Sequence, residues 1–168
     1  MTTEADIREK FWKALKSDRT LMLGISGSRE HSQPMTAQLD DDDPNSPLWI
    51  FSSKDGHLVQ AIGAGQRGMA QFVSKGHDVF ACFEGDLVLD NDRAVIERLW
   101  NPYVAAWYEG GKDDPKLQLI RFTPEHAQVW LNENSLFAGV KLLFGADPKR
   151  EYADKVADVN LAGSARPT

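Results

Sequence analysis

The feature that most constrains this chain is how little sequence separates its β-type stretches. Residues 20–26 and 32–39 read as strands flanking the turn Gly27-Ser28-Arg29-Glu30, and residues 69–74 and 79–84 flank Lys75-Gly76-His77-Asp78. A parallel pair needs a crossover of about a dozen residues or more, so turns this short leave antiparallel hairpins. Residues 87–89 extend the strand region past Gly85, and residues 48–52, 117–122 and 127–131 read as further strands.

Helical periodicity is confined to the flanks. Ile7, Phe11 and Leu15 recur at i, i+4 and i+8, and Thr3 with Asp6 gives a capping box. Asp55 is positioned to cap a short helix with Leu58 and Ile62 inward, ended by Gly63 and Gly65. Residues 92–100 read as a helix with Ala94, Val95, Ile96 and Leu99 apolar, residues 102–108 as a further turn or two, and Gly110-Gly111 as a break. Ser135 caps a helix expected to run to residue 144, and the stretch after Asp147 is polar and weakly patterned. The expected organisation is one domain over residues 1–147 and a polar tail over 148–168.

The sum is about six or seven antiparallel strands with helices at the edges. Strands do not alternate with long helices, which excludes a doubly wound parallel sheet. The fold class is mainly β (α+β), and an antiparallel split β-barrel with flanking helices hides the strand edges.

Composition narrows the partners. The 168 residues suit one domain, and the 42 % apolar content holds no stretch near the roughly 20 residues of a membrane span. A net charge of −6, with no Lys/Arg cluster, disfavours a nucleic-acid backbone. The opening residues, acidic and polar, lack the basic and apolar pattern of a secretory leader, and the single Cys82 allows no internal disulfide. Together these place the protein in the cytoplasm.

Several motifs dissolve under their structural requirements. Gly63-Ala64-Gly65-Gln66-Arg67-Gly68 spells the dinucleotide fingerprint, but a helix precedes it and a strand follows, the reverse of the required order. The aspartates at 40–43 lack the glycine and glutamate offsets of a calcium loop and read as a solvated loop. His31, His57, His77 and His126 are too dispersed for a metal site, so no metal is assigned. Phe51-Ser52-Ser53-Lys54-Asp55-Gly56-His57 is more specific: a strand end, two hydroxyls and a helix start. Hydroxyls, free amides and the charged donors Lys54 and His57 suit an anion such as a phosphate, while a simple capped turn is the competing reading.

Three stretches carry a family resemblance. They are Pro34-Met35-Thr36-Ala37-Gln38 with the strand from Leu48 to Ser53; Ser74-Lys75-Gly76-His77-Asp78 with Gly85; and the long run from Leu99-Trp100-Asn101-Pro102-Tyr103 through Trp107-Tyr108 to Pro115, followed by Ala127-Gln128-Val129-Trp130. In these the chain resembles the pyridoxamine-phosphate-oxidase-like superfamily, in its bacterial general-stress-protein branch, over about residues 7–143.

The resemblance implies an FMN-binding homodimer with the flavin in a groove between subunits. It implies a ring resting against Met35, Thr36 and Ala37, and a phosphate at the end of the strand carrying Phe51, near Ser52, Ser53, Lys54 and His57. It also implies that His77 and Trp130 approach the flavin, His77 from the partner subunit. The chain departs from true pyridoxamine phosphate oxidases twice. Asp55-Gly56-His57 stands where those enzymes carry an Arg-Lys pair, and Leu131-Asn132-Glu133-Asn134-Ser135-Leu136 stands in place of their arginine- and histidine-rich substrate motif. Oxidation of pyridoxamine phosphate is therefore not expected. A flavin-dependent oxidoreductase or flavin reductase is the leading reading, with no side chain assigned as catalytic acid or base. The alternatives are a non-enzymatic flavin-binding or sensing module, and the same barrel used for haem or deazaflavin.

Overall fold

The structure, a computed structural model, describes residues 2–132, 155–163 and 166. Thr3 opens α1 (Glu4–Asp18) with the expected capping box: its hydroxyl accepts the Asp6 N–H at 3.1 Å, and the Asp6 carboxylate accepts the Thr3 N–H at 2.8 Å. The α1 stripe of Ile7, Phe11, Trp12 and Leu15 is buried, with Phe11 edge-on to Phe83 at 5.3 Å and to Phe72 at 6.3 Å.

The strands are β1 (Thr20–Ile25), β2 (Gln33–Thr36), β3 (Leu48–Ser53), β4 (Gln66–Val73), β5 (Val79–Leu89), β6 (Leu117–Leu131) and β7 (Val156–Asn160). Every pairing is antiparallel, in the order β2-β1-β4-β5-β6-β3, with β7 on β6. One bridge closes the ring: Gln38, two residues past β2, exchanges backbone hydrogen bonds of 2.7 and 3.0 Å with Trp49 of β3. Beyond it β2 and β3 part, so the fold is a split antiparallel barrel with flanking helices α2 (His57–Ile62), α3 (Arg93–Leu99) and α4 (Pro102–Ala105).

Several local expectations are corrected. β6 is one strand of 15 residues where two, 117–122 and 127–131, are expected from the pattern. Pro124 is tolerated because it pairs with Gly85 at a register shift of β5, where a missing N–H costs little. A Cβ at Gly85 would lie 1.9 Å from the Thr123 carbonyl oxygen, so only glycine passes there. Gly56, not Asp55, occupies the N-cap of α2, and no side chain caps that helix. Asp40 is buried rather than solvated, its carboxylate held by Arg98 at 2.8 Å. The stretch read as a polar tail contributes β7, because Val159 fills an inward position beside Ala127. The helix expected over 135–144 lies outside the described residues.

Side chains alternate across the wall. Leu23, Ala70, Phe83, Ala127 and Val159 form one inward row. The outer faces differ. That of β3 and the start of β6 is covered by α3 and α4, which bury Trp49, Leu117 and Leu119 against Val95, Ile96, Val104 and Tyr108. That of β1, β4, β5 and the end of β6 is bare, with Met22 41 % and Val73 47 % exposed and Phe80 and Trp130 half-buried. Among the described residues no helix is long and apolar enough to cross a membrane.

Candidate functional site

The split between β2 and β3 is the open part of the barrel. In an antiparallel ladder the backbone groups of alternate residues point to opposite edges. Trp49 directs its own to Gln38, so Phe51 and Ser53 present theirs along the same edge, toward the split. Past Trp49 no strand among the described residues pairs with that edge; the Ser53 carbonyl turns instead to the Gly56 N–H at 2.9 Å.

Alternation also separates the two serines. Leu48 and Ile50 face the barrel interior, and Ser52 continues that face at its mouth. Trp49 and Phe51 face outward, with the Phe51 ring 6.1 Å from Trp100 and 6.5 Å from Tyr108, and Ser53 follows them. Among the described residues the Ser52 hydroxyl has no hydrogen-bond partner, while Ser53 Oγ accepts the Asp55 N–H at 3.4 Å. The start of α2 lies over this corner: a Cβ at Gly56 would be 3.1 Å from the Ser53 carbonyl and 3.9 Å from Ser52 Oγ.

The strand end is fixed from behind by a residue that pattern reading did not place in the site. Asn101 caps α4, with Pro102 in its first turn, and the chain then delivers Tyr108, whose hydroxyl donates to the Ser52 carbonyl at 2.6 Å. Burial, and secondarily Asp114, pushes the Tyr108 phenol up to about 12. Asp114 accepts the Gly110 and Lys116 N–H groups, each at 2.9 Å, and these bonds hold its carboxyl below the usual range. The Lys116 carbonyl then takes the Lys54 N–H at 2.9 Å. The signal for Tyr108 was its place in the Trp-rich run; its partner was invisible because the two lie 56 residues apart.

The other expected residues fall in two groups. Lys54 and His57 are exposed beside Ser53 and at the first turn of α2, and Lys54 makes no ion pair among the described residues. Across the split, Met35 is half-buried and Thr36 exposed, but Ala37 is fully buried with its N–H on the Arg19 carbonyl at 2.7 Å. Ala37 therefore offers a ligand no exposed surface. Phe51 offers backbone, its ring being engaged outward.

His77 and Trp130 lie elsewhere. His77 sits in the β4–β5 turn at φ +58°, exposed, with its ring 6.4 Å from Phe80. Trp130 pairs with Phe80 across β5 and β6, whereas Ser52 pairs with Gln118 at the other end of β6. Those positions on β6 are separated by roughly 40 Å of strand contour. One chain therefore does not bring His77 and Trp130 to Ser52.

The family described as pyridoxamine 5'-phosphate oxidase like matches residues 6–152. Among solved structures, a general stress family protein of Xanthomonas campestris pv. campestris is 56 % identical with a TM-score of 0.73, over 81 % of this chain and 94 % of its own. A protein described as the general stress FMN/FAD binding protein of Xanthomonas citri is 56 % identical, with a TM-score of 0.73 over 79 % and 93 %. A general stress protein 26 of Jannaschia is 27 % identical, with a TM-score of 0.74 over 95 % and 100 %. No curated protein matches the chain.

Proposed function

Because this chain belongs to the pyridoxamine 5'-phosphate oxidase like family, in its general stress protein branch, we propose that it binds FMN in the split between β2 and β3 and works as a cytoplasmic homodimer. The observation that carries the reading is the β3 edge beyond Trp49. Among the described residues it offers backbone groups without a strand partner, a Ser52 hydroxyl free to donate, and a nearby unpaired ammonium on Lys54. These donors fit a phosphate, and the description of the Xanthomonas citri relative as FMN/FAD binding supports the choice of a flavin.

The division of labour follows from the geometry. Ser52 meets the phosphate with its hydroxyl and Ser53 with its backbone N–H at the open edge, His57 adds a further donor, and Met35 and Thr36 support the ring. Tyr108 keeps the Ser52 carbonyl occupied, so the strand end stays where the hydroxyl can reach. Any oxidoreductase chemistry is supplied by the flavin when bound; the protein positions and shields it. A second copy supports the site through His77 and Trp130, because these lie far from Ser52 within one chain and beside the bare apolar face.

The test compares two ligands. Replacing Ser52 and Ser53 with alanine is expected to weaken FMN by roughly tenfold or more, since a bond to a charged group contributes about 1.5–3 kcal/mol. Riboflavin has the ring without the phosphate and is expected to bind unchanged. Equal loss of both ligands would refute the placement of the phosphate. With FMN bound, pyridoxamine phosphate is expected to release no hydrogen peroxide, and its turnover would overturn the reading of the missing substrate motif.

A further inference from the structure

Arg166, in the segment after β7, is a buried guanidinium that makes no ion pair with a carboxylate among the described residues. Its donors converge on backbone carbonyls of one loop, the link between β2 and β3. Nη1 donates to the Ser46 carbonyl, and Nη2 to those of Asp40 at 3.2 Å and Asp43 at 3.1 Å. The Arg166 N–H adds the Pro44 carbonyl at 3.0 Å, and the guanidinium lies 5.6 Å from the Trp12 ring centroid. Burial lowers its pKa while Asp43, Asp40 and Asp41 oppose that shift.

Four carbonyls of one loop cannot satisfy one another, since each needs a donor when buried. Turn bonds from the Asp43 and Ser46 N–H groups reach the Asp40 and Asp43 carbonyls at 3.3 and 3.0 Å; among the described residues the Ser46 carbonyl depends on the guanidinium and the Pro44 carbonyl on the Arg166 backbone N–H. A guanidinium presents its donors as a rigid fork, which an ammonium does not.

Both ends of that loop are pinned on Trp49. Gln38 bridges its backbone, and Ser46 Oγ accepts its indole N–H at 3.0 Å. Trp49 is the last bridged residue before the split opens. The position of the loop therefore sets how Thr36 stands relative to Phe51 and Ser52.

We propose that Arg166 is a positioning residue for the split: by clamping the carbonyls of Asp40, Asp43, Pro44 and Ser46 it fixes the spacing of the two walls that receive the flavin ring. This rests on the flavin reading above. It differs from the role of the serines in one measurable respect. A clamp on the ring walls serves FMN and riboflavin alike, whereas a phosphate ligand serves FMN alone.

The experiment takes wild type, R166A and R166K through titration with FMN and with riboflavin, and through backbone hydrogen exchange over residues 38–49. Each is done with and without millimolar methylguanidinium. R166A is expected to lose exchange protection in the loop and to bind both ligands roughly tenfold more weakly, as for one lost buried hydrogen bond to a charged group. Methylguanidinium is expected to restore both properties in R166A and to leave wild type unchanged. R166K, with donors that reach fewer carbonyls, falls between. A loosened loop with unchanged flavin affinity overturns the positioning role, as does a loop that stays protected in R166A. Loss of FMN alone in R166A also overturns it. Wild type that takes up neither ligand overturns the flavin reading itself and the positioning role with it, and the exchange arm then reports the clamp separately.

Discussion

The barrel has two apolar outer faces, and the chain treats them differently. On β3 and the start of β6, α3 and α4 cover Trp49, Leu117 and Leu119. On β4, β5, the end of β6 and β7, the lateral row Val73, Phe80, Trp130, Val156 has no helix over it among the described residues. Isolated apolar side chains on a surface are ordinary, but a contiguous row across adjacent strands marks an interaction site. The covered face belongs to the stability of the subunit. On our reading the bare face is proposed to serve assembly, receiving the second copy that brings His77 and Trp130 to the flavin.

Placing a charge on the bare face gives the largest expected effect. In V73D/W130D each carboxylate appears twice across a two-fold interface, so the loss of association is on the order of 4–8 kcal/mol. Sedimentation is expected to show wild type as a dimer at micromolar concentration and the variant as a monomer or unfolded chain. A wild type that is a folded monomer there would break the comparison at its root.

Leu119→Ala probes the other face. Leu119 is fully buried, and truncating such a leucine costs about 3 kcal/mol through lost burial and the cavity left behind. Denaturant unfolding is expected to register that loss while the sedimentation of the folded protein stays as in wild type. A change of oligomeric state would mean that the covered face also takes part in assembly.

The sequence made the two faces unequally legible. The inward rows and hairpins follow from local alternation and turn residues, which is why the barrel, α1 with its capping box and the Gly63 helix stop could be read directly. What local pattern could not supply was which outer face is covered, because that depends on where α3 and α4 land. The same limit applies to the site. Ser52 and Ser53 read as a pair because they are adjacent, yet adjacency in a strand is what puts them on opposite faces. Ala37 read as part of the ring wall but is packed inside, and Asp40 read as solvated but is buried against Arg98. The two strands read over 117–122 and 127–131 are one because Pro124 sits across the ladder from Gly85, 39 residues earlier in the chain.

Tyr108 joins the two halves of the comparison, because it packs in the covered face and donates to the strand that forms the split. Tyr108→Phe keeps the ring and removes one buried hydrogen bond, so the expected loss of stability is about 0.5–1.5 kcal/mol. The same substitution makes a pH prediction whose sign is fixed by the raised phenol. Folded Tyr108 titrates at about 12, above its ordinary 10.0, so the folded state holds the proton where the unfolded state has released it. Its contribution is fully present below pH 10 and is lost as pH rises toward 12. Wild type is therefore expected to lose stability across that window, and Tyr108→Phe to lose less over the same range. Unfolding at several alkaline pH values, with tyrosinate absorbance as the titration signal, measures both. If the two proteins lose stability in parallel, the Tyr108 phenol is not held neutral in the folded state.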